Sequence, residues 1–177
     1  RVETVIAYYE RFMAQFPTLE SLAAAPQHQV LKAWEGLGYY ARARNLHKAA
    51  QVVMDELDGQ LPPSTDALIY LPGVGRYTAA AVACFAHGVA VPAVDTNHRR
   101  VLSRWLGRPL AGAELAAVAT AELDGARPAA WNQAVMDLGA TVCLPTPACH
   151  TCPVAAWCGE PTVYQPPARQ SRFDGSV

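Results

Sequence analysis

Apolar residues recur at helical spacing along most of this chain. Val2, Val5, Ile6, Tyr9, Phe12 and Met13 place one apolar face on a helix over residues 2–13. Pro17 ends that pattern, and Thr18 is a suitable N-cap for a short helix reaching Ala24. Pro26 opens another helix to about Trp34, and Gly36-Leu37-Gly38 is a turn. Tyr40 to Leu57 reads as a longer helix with Leu46, Ala49, Ala50, Val53 and Leu57 on its inward face. Gly59 to Pro63 is a loop, Ser64 to Tyr70 a short helix, and Tyr77 to His87 a helix that follows a tight glycine turn. Val89 to Val94 is extended, without the alternation of a sheet strand. Helices are predicted over 96–106, 113–121 and 128–142, followed by a cysteine-rich loop and, from Pro161, a Pro/Gln/Arg/Ser-rich tail. The pattern predicts an all-α protein.

Composition narrows the class. A hydrophobic content of 51% in 177 residues supports a sizeable folded core. No apolar run reaches the ~20 residues of a membrane span, so no membrane partner is expected. The net charge of −1 excludes a uniformly basic nucleic-acid binder, but the charges are unevenly spread. No acidic residue lies between Gly36 and Met54, where Arg42, Arg44, His47 and Lys48 occur. Between Ala67 and Ala113 there are five arginines (76, 99, 100, 104 and 108) and a lone carboxylate, Asp95. Such stretches are either a face for phosphates or ordinary surface charge.

Three features carry candidate chemistry. Leu71-Pro72-Gly73-Val74-Gly75 lies between two helical patterns. Pro72 stops the first helix, the glycines permit positive φ and close approach, and the next helix presents unpaired N–H groups beside Arg76. That is a helix-hairpin-helix pattern for gripping a DNA backbone without reading sequence. Asp95 directly precedes the helix bearing Arg99 and Arg100. It is a good N-cap, and helix N–H groups and neighbouring arginines should keep it ionised. A fixed negative charge beside DNA makes sense if a positive partner forms in the reaction, as the oxocarbenium-like sugar does when a glycosidic bond breaks. Asn97 could place a water or a phosphate there. Finally, Cys143, Cys149, Cys152 and Cys158 follow C-x5-C-x2-C-x5-C. Four thiolates in one short loop suit a [4Fe–4S] cluster, with zinc as the alternative and unliganded thiols last. Cys84, alone in an apolar helix, reads as core.

Together these residues resemble the helix-hairpin-helix DNA glycosylases with an iron–sulfur cluster, and among them the A/G-specific adenine glycosylase family (MutY). The resemblance is carried by residues 36–46 (GLGYYARARNL), 71–79 (LPGVGRYTA), 94–97 (VDTN), 136–140 (MDLGA) and the four cysteines. It implies a helical lobe over 1–110 with the hairpin at about 64–87, an iron–sulfur lobe over 111–160, and a tail or linker over 161–177. It implies a monofunctional glycosylase, cytoplasmic and monomeric, that flips adenine from a mispair with guanine or 8-oxoguanine in double-stranded DNA and hydrolyses its N-glycosidic bond. By that resemblance Asp95 stabilises the sugar cation and Asn97 is its active-site neighbour. Tyr39 is the aromatic wedge beside the lesion, offsetting the few kcal/mol of unstacking; plain core packing is the alternative for Tyr39-Tyr40 and is expected to fit Tyr40 better. DNA contacts fall on Tyr39, Arg44, Leu71, Gly73, Val74, Gly75, Arg76, Tyr77 and Thr78. The related endonuclease III enzymes carry lysine at the position of Tyr77, and tyrosine cannot form their Schiff base. Tyrosine also occurs there in thymine mismatch glycosylases, so a thymine or uracil mismatch enzyme is the alternative.

Three departures shape the expectations. The family's catalytic glutamate lies upstream of the segment matching Arg1, so the chain as given is expected to be nearly inactive, general acid catalysis being worth ~10²–10⁴-fold. The first cysteine interval holds five residues where the family usually has six. The family's C-terminal domain for 8-oxoguanine recognition would follow residues 172–176, so the chain reads as a fragment truncated at both ends. A catalytically inactive DNA-binding fragment is the reading from another class.

Overall fold

A computed structural model describes residues 2–163, and the tail expected from Pro161 lies, beyond Val163, outside the described residues. The described residues are helical and contain no β-strand. The chain divides into two compact units, Arg1–Val89 and Ala90–Val177, so the division comes before Asp95 and its helix rather than at residue 110.

The first unit holds α1 (Val2–Gln15), α2 (Leu19–Ala24), α3 (Gln27–Ala33), α4 (Tyr40–Glu56), α5 (Thr65–Leu68) and α6 (Arg76–His87). Its helix starts follow local chemistry. Thr18 accepts from the Ser21 N–H and Ser21 reciprocates, a capping box at α2. Ser64 accepts from the Ala67 N–H at the head of α5. Phe16, Leu22, Val30 and Ala50 are buried together, with Phe12, Leu19 and Ala33 against them. The inward stripe of α4 is Ala43, His47, Ala50 and Val53. Leu46, expected on that face, is 41% exposed. The stripe is small because α2 and α3 both pack on α4, and the polar His47 fits it beside Gln51, whose Nε2 lies 3.4 Å from His47 Nε2. As expected, Cys84 is buried on α6.

The second unit holds α7 (Thr96–Trp105), α8 (Gly112–Glu122), α9 (Pro128–Thr141) and two single 3₁₀ turns, Cys149–Thr151 and Ala155–Trp157. Leu102, Leu110, Leu115 and Ala119 form its apolar cluster, with Trp131 and Val94 packed against it. The extended residues before α7 are latched to α9 by the buried Asn132. Its Oδ1 accepts from the Ala93 N–H at 2.7 Å, and its Nδ2 donates to the carbonyls of Val91 and Pro128, both at 3.0 Å. Backbone polar groups that cannot join a sheet are thereby satisfied, and the chain is led directly into Asp95.

Candidate functional site

In the first unit the candidate residues sit on two turns and one helix. The Gly36–Tyr40 turn is tight: Gly36, Gly38 and Tyr39 all have positive φ, at 96°, 70° and 48°. For tyrosine this left-handed backbone costs ~1–2 kcal/mol. The Trp34 indole N–H braces the turn by donating to the Gly38 carbonyl at 3.0 Å. The Tyr39 ring is 77% exposed. Tyr40 is also exposed, at 41%, and not core as expected; it starts α4, a turn before the buried stripe begins at Ala43. Arg44 is exposed on the same helix.

The hairpin has the geometry its sequence requires. The Val74 N–H donates to the Leu71 carbonyl at 3.1 Å, closing the turn. Gly73 has φ +75°, and a Cβ placed there would lie 2.5 Å from Asn45 Cβ of α4. Only glycine meets both demands, and Asn45 is thus the wall against which the hairpin is set. Leu71 is buried and anchors the turn, whereas Gly73, Gly75, Arg76, Tyr77 and Thr78 are exposed and Val74 is half-buried. Gly75 is the N-cap of α6 and supplies no side-chain cap. The first turn of α6 thus opens without an N-cap side chain, beside the exposed guanidinium of Arg76.

In the second unit Asp95 is the N-cap of α7, as expected: its Oδ1 accepts from the His98 N–H at 2.8 Å. The same oxygen lies 2.9 Å from His98 Nδ1. Burial pushes the Asp95 carboxyl up, but the hydrogen bonds from His98, its charge and the Asn97 N–H outweigh that effect, so Asp95 sits below its ordinary value. Its side chain keeps 23% exposure, so the ionised oxygen can still meet a partner.

Asn97 is held by Gly139 and by Arg100. Gly139 of α9 approaches so closely that a Cβ there would lie 2.6 Å from Asn97 Cβ. The buried Arg100 donates from Nη2 to Asn97 Oδ1 at 2.7 Å and to the Gly139 carbonyl at 2.6 Å, and from Nε to the Cys143 carbonyl at 2.6 Å. Arg104, also buried, donates to the carbonyls of Leu144 (2.6 Å) and Pro145 (2.8 Å) and to Cys143 Sγ (3.4 Å). Arg99 donates to the Leu110 carbonyl, and Arg108 pairs with Glu114. The arginine-rich stretch is therefore no continuous basic face. Three of its five arginines are spent on backbone carbonyls, Arg100 and Arg104 because a buried guanidinium must be satisfied. Sequence reasoning assigned no site role to His98 or Asn132; a histidine three residues after an N-cap aspartate was the available signal.

Cys143, Cys149, Cys152 and Cys158 line one cavity of about 100 Å³, with Arg104, Val142, Pro147, Ala155 and Pro161. They share its lining without converging: among the described residues no three His, Cys, Asp or Glu side chains are gathered so as to hold a metal ion. Burial and the charges of the other three cysteines push the Cys158 thiol up. A bound cation would require and favour the deprotonated form of such thiols.

Comparison with known proteins decides the family. Residues 1–117 match the family model described as the HhH-GPD superfamily base excision DNA repair protein. The chain belongs to the HhH-GPD superfamily. This HhH-GPD chain is 45% identical to the adenine DNA glycosylase of Homo sapiens over 166 residues, which cover 89% of the chain and 30% of that protein. It is 41% identical to that of Mycolicibacterium smegmatis (88% of the chain, 54% of the relative) and 40% to that of Mycobacterium tuberculosis (97% and 60%). The chain thus spans from under a third to 60% of the length of these relatives. Among solved structures, a thermostable thymine-DNA glycosylase superposes with a TM-score of 0.80 at 31% identity, over 86% of this HhH-GPD chain and 73% of that one. A trapped endonuclease III–DNA covalent intermediate gives 0.77 at 27% identity, over 88% and 75%.

Proposed function

We propose that this chain is the core of a monofunctional adenine DNA glycosylase, hydrolysing the N-glycosidic bond of adenine mispaired with guanine or 8-oxoguanine in double-stranded DNA. The observation that carries the proposal is Asp95, an ionised, half-buried carboxylate fixed at a helix N-terminus, in a chain 40–45% identical to proteins named adenine DNA glycosylase. When the bond between C1′ and the adenine nitrogen breaks, the electron pair leaves with the base and positive charge develops on the sugar. A carboxylate already in place stabilises that charge without reorganising as it forms. Water then adds to C1′ and loses a proton, and the departing adenine takes one up, so the products are the free base and a C1′ hydroxyl. Asn97, locked by Arg100 and Gly139, orients the polar groups around that centre. Tyr39, held exposed on a strained turn, is the wedge that fills the gap left by a flipped base. The hairpin at Gly73–Thr78 and Arg44 grip the phosphates.

The cysteine loop is proposed to hold a [4Fe–4S] cluster. Its fit rests on four cysteines lining one cavity, close enough that the other three, after burial, raise the Cys158 thiol. Cys143, Cys149, Cys152 and Cys158 would be its ligands, and when bound the cluster supplies iron–thiolate links that tie the loop together. Cys149→Ser should lower iron content and folded yield, measured by metal analysis. Normal iron would remove the assignment, and stoichiometric zinc in the unaltered protein would replace it.

Likeness to a thymine-DNA glycosylase supports a second reading, a thymine or uracil mismatch enzyme on the same scaffold. Single-turnover base release by the full-length protein separates the two. Duplexes would carry A opposite 8-oxoguanine, A opposite G, T opposite G and U opposite G. Adenine release is expected, pyrimidine release would favour the second reading, and silence on all four would leave a DNA-binding module.

A further inference from the structure

We propose that His98 is a positioning residue for Asp95, its imidazole fixing the carboxylate through a hydrogen bond that helix capping does not require. The inference rests on the reading of Asp95 as the group that meets the developing sugar cation. Capping of α7 is complete once the His98 backbone N–H reaches Asp95 Oδ1 at 2.8 Å, and any residue at position 98 would provide that N–H. The His98 ring adds a second donor to the same oxygen, Nδ1 at 2.9 Å. Two bonds converging on one atom set both the rotamer and the plane of the carboxyl group, which a single bond does not. The ring is fully buried, a placement that is unfavourable for an imidazole unless its polar atoms are used. It lies against Trp131 of α9, with ring centroids 5.6 Å apart, and Nε2 has no hydrogen-bond partner among the described residues. The imidazole therefore has one polar attachment here, and it is Asp95.

The other ionisable side chains of the surrounding helices are engaged elsewhere. Arg99 reaches the Leu110 carbonyl, Arg100 reaches Asn97, Gly139 and Cys143, and Arg104 reaches Leu144 and Pro145. On α8, Glu114 pairs with Arg108 and Glu122 lines an apolar pocket with Trp105 and Trp131; on α9, Asp137 accepts from Gln133. Burial raises the Asp95 carboxyl, and His98 is the side chain that acts against it, beside the backbone N–H groups of His98 and Asn97. Without the imidazole the carboxylate loses a donor and takes up a proton at higher pH.

Two substitutions separate positioning from packing. His98→Phe keeps the ring volume and removes the donor, whereas His98→Asn shrinks the side chain and keeps an N–H near the Nδ1 position. In the full-length protein, single-turnover release of adenine opposite 8-oxoguanine should be roughly tenfold slower for His98→Phe, the rate equivalent of a lost hydrogen bond to a charged group. It should recover to within about threefold of the unaltered rate for His98→Asn, with DNA affinity within about twofold for both. The acid limb of the pH–rate profile should move to higher pH for His98→Phe alone, because the rate needs the ionised carboxylate. If His98→Phe is the faster of the two, or the acid limb stays in place, packing is the whole role and the proposal is overturned. A carbon-13 titration of the Asp95 carboxyl decides the point even if no base is released: a rise in His98→Phe reversed in His98→Asn supports it, and an unmoved titration overturns it. Should His98→Phe fail to fold, the nitrogen-15 imidazole spectrum of the unaltered protein must show a protonated Nδ1, and a bare Nδ1 overturns the proposal.

Discussion

Gly139→Ala sets two opposing effects against each other. At an exposed helical position alanine is favoured over glycine by ~1 kcal/mol. At 139 the added methyl would lie 2.6 Å from Asn97 Cβ, 3.1 Å from its Cγ and 3.3 Å from its Cα. Those atoms are the root of a side chain and the backbone of α7, so no flexible tip can swing aside, and α7 and α9 must move apart. Overpacking of this kind costs ~1–3 kcal/mol. Separation also lengthens the 2.6 Å bond from Arg100 to the Gly139 carbonyl, and a hydrogen bond to a charged group is worth ~1.5–3 kcal/mol in full. The clash and the weakened bond outweigh the propensity gain, leaving a net loss of ~1–3 kcal/mol. Urea unfolding should show a lower midpoint at unchanged slope, and Tm should fall by roughly 2–4 °C per kcal/mol for a chain of this size. Asn97→Gly removes the two nearest of these atoms, Cβ and Cγ, so in the double variant the Gly139→Ala loss should shrink by more than half. A midpoint at or above that of the unaltered protein would refute the packing argument. So would a loss undiminished by Asn97→Gly.

Gly73→Ala adds a left-handed non-glycine residue, costing ~1–2 kcal/mol, to a clash with Asn45, so both urea stability and fluorescence-anisotropy affinity for duplex DNA should fall; unchanged affinity would detach this turn from DNA binding. Arg76→Ala should weaken DNA binding equally across sequences and reduce the log–log salt slope by roughly 0.9, one phosphate contact, whereas a sequence-selective effect would contradict a backbone grip. Because the Asp95 carboxyl is lowered from its ordinary value of 3.8, its contribution to stability is full above that value and is lost as the pH falls through the lower folded one. Asp95→Asn should therefore flatten the acid end of a stability-against-pH curve, and an unaltered curve would show that Asp95 is not held ionised by the fold.

The helices were legible because their signals are local. Thr18 and Asp95 cap the helices they precede, Pro17 closes α1, and Leu71–Gly75 forms the turn its glycines demand. Periodicity failed where polar residues point inward. On α4 it favoured Leu46 over His47, because hydrophobicity is read before the partner that makes a buried histidine acceptable. The arginines misled for the same reason. Charge in a sequence suggests a surface, and nothing local reveals that Arg100 and Arg104 are satisfied by carbonyls some forty residues downstream. Gly139 was visible as part of a familiar stretch, but its cause, the nearness of Asn97, exists only in three dimensions.

That concealment follows from what α7 does. Six of its ten residues are buried, and four of those are polar: His98, Arg100, Ser103 and Arg104. Such a helix would be costly inside a protein unless each polar group had a fixed partner. Ser103 Oγ accepts from the Leu110 N–H, and the two guanidiniums hold the carbonyls of Cys143, Leu144 and Pro145. At the other end of the cysteine loop, the Gly159 and Glu160 N–H groups donate to the Trp105 and Arg104 carbonyls that end α7. Both ends of the loop are thus fastened to α7, and Cys143 and Cys158 are placed by hydrogen bonds before any thiolate chemistry is considered. The helix that starts at Asp95 also anchors the cysteines, so its sequence serves hydrogen-bond partners at both ends, and Val101 and Leu102 are the only apolar residues among the six it buries.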